Sequence, residues 1–166
     1  MEKNNKLLLE NKDFRSGWLC GIVDGEGCFC VSFNLRKSMP CGIEVHPSFS
    51  ISQKSHSLGS IELIKEHFQC GGIRYSKKDG TYKYETRSID DIKLKILPFF
   101  RKYSLYTKKQ EDFLLFDEIC QLILSGQHLN AKGLKDILIK SYKLNGSGKR
   151  KYSLEYLLKF IGELNV

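Results

Sequence analysis

The sequence predicts an α+β domain in which helices cover one face of a four-stranded antiparallel sheet. The hydrophobic spacing changes from a helical repeat to strict alternation after Gly27. Two later alternating segments flank Asp79-Gly80, a dipeptide typical of hairpin turns. The predicted order is helix, strand, strand, helix, strand, strand, helix, with further helices at the C-terminal end. This order is typical of an α+β layer structure.

The first predicted helix, with Asp13 as its expected N-cap, ends in an unusual group of residues. Glycines recur on one of its faces at Gly17, Gly21 and Gly25. Each glycine inside a helix costs roughly 1 kcal/mol relative to alanine, so a stripe of them favours close approach of another backbone. Asp24 and Glu26 place two carboxylates at the C-terminal end, where the helix dipole favours cations. A divalent cation would relieve both the repulsion between the acids and the negative helix end and the mutual repulsion of the two acids.

The predicted strands separate apolar from polar side chains. In the first strand Phe29, Val31, Phe33 and Leu35 alternate with Cys30, Ser32, Asn34 and Arg36. Residues 44–54 form the second strand, with Ser50 and Ser52 on its polar face and Gln53-Lys54 at its end. Residues 73–78 and 82–88 form a hairpin rich in basic and aromatic side chains, which is either a nucleic-acid surface or a lysine-guarded sheet edge. Hydroxyl, amide and guanidinium groups suit base edges and phosphates.

The remaining segments predict helices. Residues 61–68 form a short helix, and residues 89–103 form one that Pro98 kinks, with Leu94 among its core positions. Further helices follow Lys108-Lys109, span residues 127–144 and span residues 152–164. Gly146-Ser147-Gly148 predicts a flexible linker. The cationic run Lys149-Arg150-Lys151 is interpreted either as a phosphate clamp or as a solvated loop.

Composition limits the functional classes. The length of 166 residues predicts one domain over residues 1–166, with a flexible tail at about 1–12. The net charge of +8 predicts a polyanionic partner. No apolar run is long enough to span a membrane, and no secretion signal is recognised. The six cysteines form no CxxC pair, so free thiols are expected. Abundant Lys, Asn and Ile suggest an A/T-biased genome, such as that of an organelle.

The segment from Leu19 to Gly27, LCGIVDGEG, resembles the motif that names the LAGLIDADG homing endonucleases. Glu26 occupies the last acidic position of the motif, and Cys20 replaces a small alanine. A second resemblance, more than a hundred residues later, comprises His128, Leu129, Gly133, Leu134, Ile137, Lys140 and Asn145. Together these matches imply the αββαββα core with a saddle-shaped sheet, extending over nearly the whole chain.

The resemblance implies a homodimer, because family members with a single motif pair their motif helices between two subunits. We expect Gly17, Cys20, Gly21 and Asp24 to lie at that interface, with Asp24 capping or cross-linking the partner helix and metal binding as its lesser option. The glycine stripe supports this expectation independently.

The resemblance also implies a divalent-metal-dependent double-strand DNA endonuclease that cuts a long, pseudo-palindromic site. Glu26 and the carbonyl of Gly25 would hold Mg²⁺, for which Mn²⁺ or Ca²⁺ can substitute in binding. Gln53 and either Lys108 or Lys109 would complete the catalytic pocket, and the sequence does not choose between the lysines. The expected DNA-binding residues are Ser32, Asn34, Arg36, Ser50, Ser52, Lys54, Tyr75, Lys77, Lys83, Glu85, Lys149, Arg150 and Lys151. If the third strand alternates in the opposite phase, Arg74 and Lys78 lie on the DNA face in place of Tyr75 and Lys77.

Two other functions fit the same scaffold. One is an RNA maturase that binds its host intron RNA, and the other is a DNA-binding regulator that does not cleave. The intact Glu26 and pocket lysines favour the nuclease. The expected location is the organelle, chloroplast or mitochondrion, in which the protein is encoded and made, and secretion is not expected.

Overall fold

The computed structural model of the protein describes residues 11–145 and 149–163, and it has the predicted α+β architecture. The strands are β1 (Gly27–Leu35), β2 (Ile43–Lys54), β3 (Gly72–Ser76) and β4 (Thr81–Thr86). The main helices are α1 (Lys12–Glu26), α2 (Leu58–Phe68), α3 (Ile89–Asp91, Ile92–Ile96 and Leu97–Lys102 in succession), α4 (Lys109–Leu124), α5 (Ala131–Ser141) and α6 (Leu154–Glu163). Short 3₁₀ turns occupy Ser55–Ser57 and Gln127–Leu129.

The two segments predicted to be flexible fall largely outside the described residues. The predicted linker at 146–148 and residues 1–10 of the predicted tail lie there. Asn11 and Lys12 belong instead to the start of α1. Asn11, and not Asp13, is the N-cap, because its side-chain oxygen accepts hydrogen bonds from the backbone N–H groups of Asp13 and Phe14.

The four strands form one antiparallel sheet in the order β1-β2-β4-β3. Its apolar face packs on the helices through Phe29, whose ring centroid lies 5.1 Å from that of Phe49. The rings of Phe113 and Phe116 in α4 each lie 5.4 Å from Phe29, and Phe100 in α3 lies 5.5 Å away. All of these rings are buried. The opposite face of the sheet therefore carries the polar side chains that the alternation predicted.

Strand register corrects the prediction for β3. Arg74 pairs with Lys83, whereas Tyr75 pairs with Tyr82 and its ring lies 4.8 Å from the Tyr82 ring. Tyr75 therefore belongs to the helix-covered face of the sheet. Arg74 belongs to the polar face, as the alternative prediction for this strand had it. Lys77 and Lys78 are not in a strand either. Ser76 pairs with Thr81, so both lysines lie in the turn that ends at Gly80, which has a φ of 60°.

α3 contains a π-helical segment and exposes one predicted core residue. Leu94 is 68% exposed, while Ile92, Ile96, Leu97 and Phe100 are buried. Leu94 follows Ile92 by two residues, about half a turn, so it faces away from the core in an α-helical or a π-helical turn. The widened turn lies directly before Pro98, whose ring would clash with the carbonyl four residues earlier in a regular α-helix.

Candidate active site

The passage from α1 into β1 takes place without a loop and fixes the position of Glu26. The N–H of Gly27 donates a hydrogen bond to the carbonyl of Val23. A Cβ at position 27 would lie 2.6 Å from Val23 Cγ1 and 2.7 Å from its carbonyl oxygen, so only glycine fits. Leu19 and Val23 bury one side of α1 in the core. As a result, the helix ends with Glu26 directly beside the first residues of the polar sheet face.

Glu26 is exposed, and its carboxylate has no hydrogen bond or ion pair within the described residues. The carbonyls of the last helical turn, including that of Gly25, lack the helical donors that interior carbonyls have. These hard oxygen donors are the type that Mg²⁺ prefers, so the residues present fit the predicted metal. No cluster of three or more His, Cys, Asp or Glu side chains in residues 11–145 and 149–163 is arranged to hold an ion.

Asp24 is bound within its own chain. Its carboxylate accepts hydrogen bonds from the backbone N–H groups of Tyr106 (2.9 Å) and Thr107 (3.0 Å) and from the Thr107 hydroxyl (2.8 Å). Partial burial alone would raise its pKa, but these bonds and the charge of Lys109 lower it. Asp24 thus anchors the segment before α4, and its predicted contact with a partner helix stays a prediction.

The structure distinguishes the two candidate lysines. Lys108 is exposed, immediately before α4, whereas Lys109 is partly buried as the first residue of that helix. The charge of Lys109 acts both on Asp24 at the end of α1 and on Cys28 at the start of β1, where it opposes the rise in the Cys28 pKa that burial causes. The positive charge of Lys109 therefore acts on both elements that meet at Glu26.

Gln53 lies two residues beyond the last β1–β2 pair. Gly27 pairs with Ile51, and Gln53 itself pairs with Tyr82 of β4. Gln53 is partly buried at the end of the strand. The next residue, Lys54, donates a hydrogen bond of 2.9 Å to the carbonyl of Asp79 and so ties the strand end to the hairpin turn.

The glycine stripe lies on the surface of the chain. Gly17, Gly21 and Gly25 are exposed, and a Cβ at any of them would meet nothing within 4 Å. Cys20 does not share this face. It is only 5% exposed, and its thiol lies 3.8 Å from the carbonyl of Tyr103 in the same chain. The prediction of Cys20 as an interface residue is therefore wrong, because the helix turns it towards the core.

The polar sheet face carries most of the predicted DNA-binding residues. Ser32, Asn34 and Lys54 are exposed, and Ser52, Lys83 and Glu85 are partly buried. Arg36 follows β1 and forms an ion pair with Glu44. Ser50 has the predicted parity but is only 5% exposed, between Cys28 on one side and Glu85 on the other. Its hydroxyl is therefore a poor candidate for direct DNA contact.

The run Lys149-Arg150-Lys151 is divided between two roles. The Arg150 guanidinium donates to the carbonyls of Ser141 and Leu144 at the end of α5 and lies 4.4 Å from the Tyr142 ring centroid. The predicted phosphate contact of Arg150 is corrected, because this side chain holds α5. Lys149 and Lys151 are exposed and line a cleft of about 260 Å³ beside the outer strand β1.

Several residues near the site were missed in the sequence. Thr107 and Tyr106 anchor Asp24, and Cys28 lies beside Lys109. The side chain of Asn145 donates to the carbonyl of Phe29, which attaches the end of the α5 region to β1. Asn145 belonged to the second family-like segment but had no predicted role. The alternation of β1 was the available signal for Cys28, since it has the same parity as Cys30 and Ser32.

A model of the family described as LAGLIDADG endonuclease matches residues 19–120. The chain belongs to the LAGLIDADG endonuclease family. It is 30% identical over 153 residues to the homing endonuclease I-ApeII of Aeropyrum pernix, a match that covers 87% of this chain and 89% of the relative. Fungal relatives described as probable intron-encoded endonucleases are longer: at 30–31% identity the chain spans 25% of one from Neurospora crassa and 42% of one from Mycosarcoma maydis.

Solved LAGLIDADG-type structures share the fold. The archaeal intron-encoded homing endonuclease I-Vdi141I complexed with DNA is 32% identical, with a TM-score of 0.84 and coverage of 93% of this chain and 99% of that one. I-SmaMI bound to an uncleaved DNA target in the presence of calcium ions is 30% identical, with a TM-score of 0.80 over 87% of this chain and 48% of that one. No helix in the described part of the chain is long and apolar enough to cross a membrane.

Proposed function

We propose that this protein is a homing endonuclease that hydrolyses both strands of DNA at a long, specific and nearly palindromic site. The observation that carries the proposal is the Glu26 carboxylate, which is exposed and unpaired within the described residues at the edge of a polar sheet face. The net charge of +8 supports a polyanionic substrate. The similarity to the DNA complex of I-Vdi141I supports duplex DNA.

The proposed active site uses groups from three elements. Glu26 and the Gly25 carbonyl at the end of α1 would hold Mg²⁺, which would supply Lewis-acid activation of water and positive charge beside the phosphate. Lys109 offsets negative charge that develops during cleavage, and Gln53 orients water by hydrogen bonding. Lys109 is preferred to Lys108 because it is partly buried and its charge acts on both α1 and β1.

The proposed active form is a homodimer. The exposed stripe of Gly17, Gly21 and Gly25 allows two α1 helices to approach closely, because no side chain projects from these positions. A two-fold arrangement would bring the two Glu26 carboxylates to one centre, where each could contribute to metal binding. It would also match a target with two similar half-sites.

We further propose that the protein is encoded by an intron of an organellar genome. The Lys-, Asn- and Ile-rich composition supports an A/T-biased coding sequence, and the fungal relatives are described as intron-encoded. The DNA that flanks the coding region tests this part. Near-palindromic sequence where the intron is inserted would also supply the target.

The substitution Glu26→Gln tests the endonuclease proposal. It retains the size of the side chain but removes the charge that holds the metal, so cleavage of the target should be lost while binding is retained. Cleavage is measured on a plasmid carrying the target with Mg²⁺, and binding by gel shift with Ca²⁺. Glu118→Gln is the matched control, since Glu118 pairs with Lys140 between α4 and α5. Undiminished cutting by Glu26→Gln would refute the proposal.

A further inference from the structure

Two half-buried glutamates interrupt the basic surface that we assign to DNA. Glu85, on β4, accepts a hydrogen bond from Lys83 Nζ at 2.7 Å on one carboxylate oxygen, and its other oxygen lies 2.9 Å from Arg87 Nε. Glu44, on β2, forms an ion pair with Arg36, and its second oxygen lies 3.1 Å from His46 Nε2. We call these the Glu85 cluster (Lys83, Glu85, Arg87) and the Glu44 cluster (Arg36, Glu44, His46).

The strand register places both clusters on the polar sheet face. Glu85 pairs with Ser50 on one side and Gly72 on the other, and Lys83 pairs with Ser52 and Arg74. Glu44 pairs with Asn34, and His46 with Ser32. Both acids therefore lie within the surface that the proposed function presents to DNA, and the Glu85 side chain is only 14% exposed there.

A carboxylate in this position opposes binding to phosphate, so its presence needs a compensating role. Burial alone would raise the pKa of Glu85, yet the hydrogen bonds and charges of Lys83 and Arg87 together lower it. Glu85 is therefore a charged partner of both cations at neutral pH. Cations that are paired along the strand lose rotamer freedom before DNA binds, and they retain further N–H donors for the ligand.

We infer that Glu85 and Glu44 are specificity-determining positioning residues. Glu85 holds Lys83 and Arg87, and Glu44 holds Arg36, over the sheet, where these cations can donate to base edges in the major groove. Each acid also keeps its cations from contacting phosphates of unrelated sequence. This inference rests on the proposed DNA-binding function. It adds that acids on this surface increase discrimination between sites at the expense of total affinity.

The experiment compares wild type with Glu85→Gln on two DNA duplexes in Ca²⁺. One duplex is selected by the wild-type protein from a randomised library, and the other is a scrambled sequence of the same composition. Dissociation constants are measured over a series of KCl concentrations. The variant should bind the scrambled duplex more tightly, and its slope of log K against log[KCl] should steepen by about 0.9 for each cation freed to contact phosphate. Discrimination between the duplexes should fall by roughly tenfold.

Two further variants keep the test decisive. Glu118→Gln removes the same charge from the helical side, where Glu118 Oε2 lies 3.0 Å from Lys140 Nζ. It should change the salt slope and the discrimination between the duplexes less than Glu85→Gln does. Glu44→Gln tests the second cluster and carries the experiment if Glu85→Gln does not fold. Equal changes in the Glu118→Gln control would mean that net charge alone acts, which overturns the inference.

The outcomes separate this inference from the proposed function. If wild type discriminates between the duplexes but Glu85→Gln and Glu44→Gln keep its slope and its discrimination, the positioning role is refuted and the nuclease proposal stands. If wild type binds both duplexes equally, the proposed site-specific function fails, and the inference fails with it.

Discussion

The two sides of the C-terminal end of α1 differ in what they contact, although the acids that mark them are two residues apart. On the closed side, Asp24 accepts three hydrogen bonds from Tyr106 and Thr107 and anchors the segment before α4. On the open side, Glu26 is exposed and has no partner in the described residues, and a Cβ added at any glycine of the exposed stripe would meet nothing within 4 Å. An acid that is fully hydrogen-bonded stabilises the fold, whereas an unpaired acid is available for a ligand.

After Glu26→Gln, substitution of Lys109 has the largest expected effect, and it tests whether Lys109 serves catalysis with Glu26 or only neutralises Asp24. Lys109→Met should reduce cleavage roughly 100-fold or more, the size expected when a preorganised group that stabilises transition-state charge is removed. Lys108→Met is the matched control, because Lys108 is exposed, and it should cleave at nearly the wild-type rate. Single-turnover cleavage rates and thermal unfolding are measured for both. A Lys109→Met protein that cuts normally but melts early would make Lys109 only a counter-charge for Asp24.

The closed side is tested by Asp24→Asn. The amide replaces a charged acceptor that serves two N–H groups and a hydroxyl, so the free energy of unfolding should fall by about 1–3 kcal/mol. Because the folded state lowers the pKa of Asp24, its stabilisation is present above the unfolded pKa of about 3.9 and is lost as the pH falls through the folded pKa. The difference between wild type and variant should therefore be constant from neutral pH down to about pH 5 and shrink below about pH 4. Urea titrations across this range measure it, and a difference that persists in acid would contradict the assigned role.

The same contrast shows what could be predicted from the sequence. Alternation in β1 and β2 correctly predicted the polar face, because the side-chain period of a strand is strict. It failed for Tyr75, because the alternation of the third strand was assigned one residue out of phase: Tyr75 pairs with Tyr82, and a one-residue error reverses the face. Helical spacing could not separate Asp24 from Glu26, because their difference depends on Thr107, more than eighty residues away. Arg150 was misassigned for a similar reason: local charge suggests phosphate, but the carbonyls at the end of α5 become its partners only after folding.

The open side is tested by Gly21→Ala, which separates the stability of one chain from that of the dimer. In a single chain the added methyl group meets nothing within 4 Å, and alanine favours the helix by about 1 kcal/mol relative to glycine. The substitution should therefore raise the helix stability of the monomer slightly. In the proposed dimer two such methyl groups face the seam, so close packing should be lost and dissociation should increase. Sedimentation velocity over a range of protein concentrations, combined with unfolding under monomeric conditions, resolves the two opposite effects. Gly59→Ala is the control, because Gly59 is exposed in α2 and a Cβ there would also meet nothing within 4 Å. It should stabilise the helix without increasing dissociation of the dimer. A Gly21→Ala protein whose oligomeric state is unchanged would place the dimer contact elsewhere on the surface.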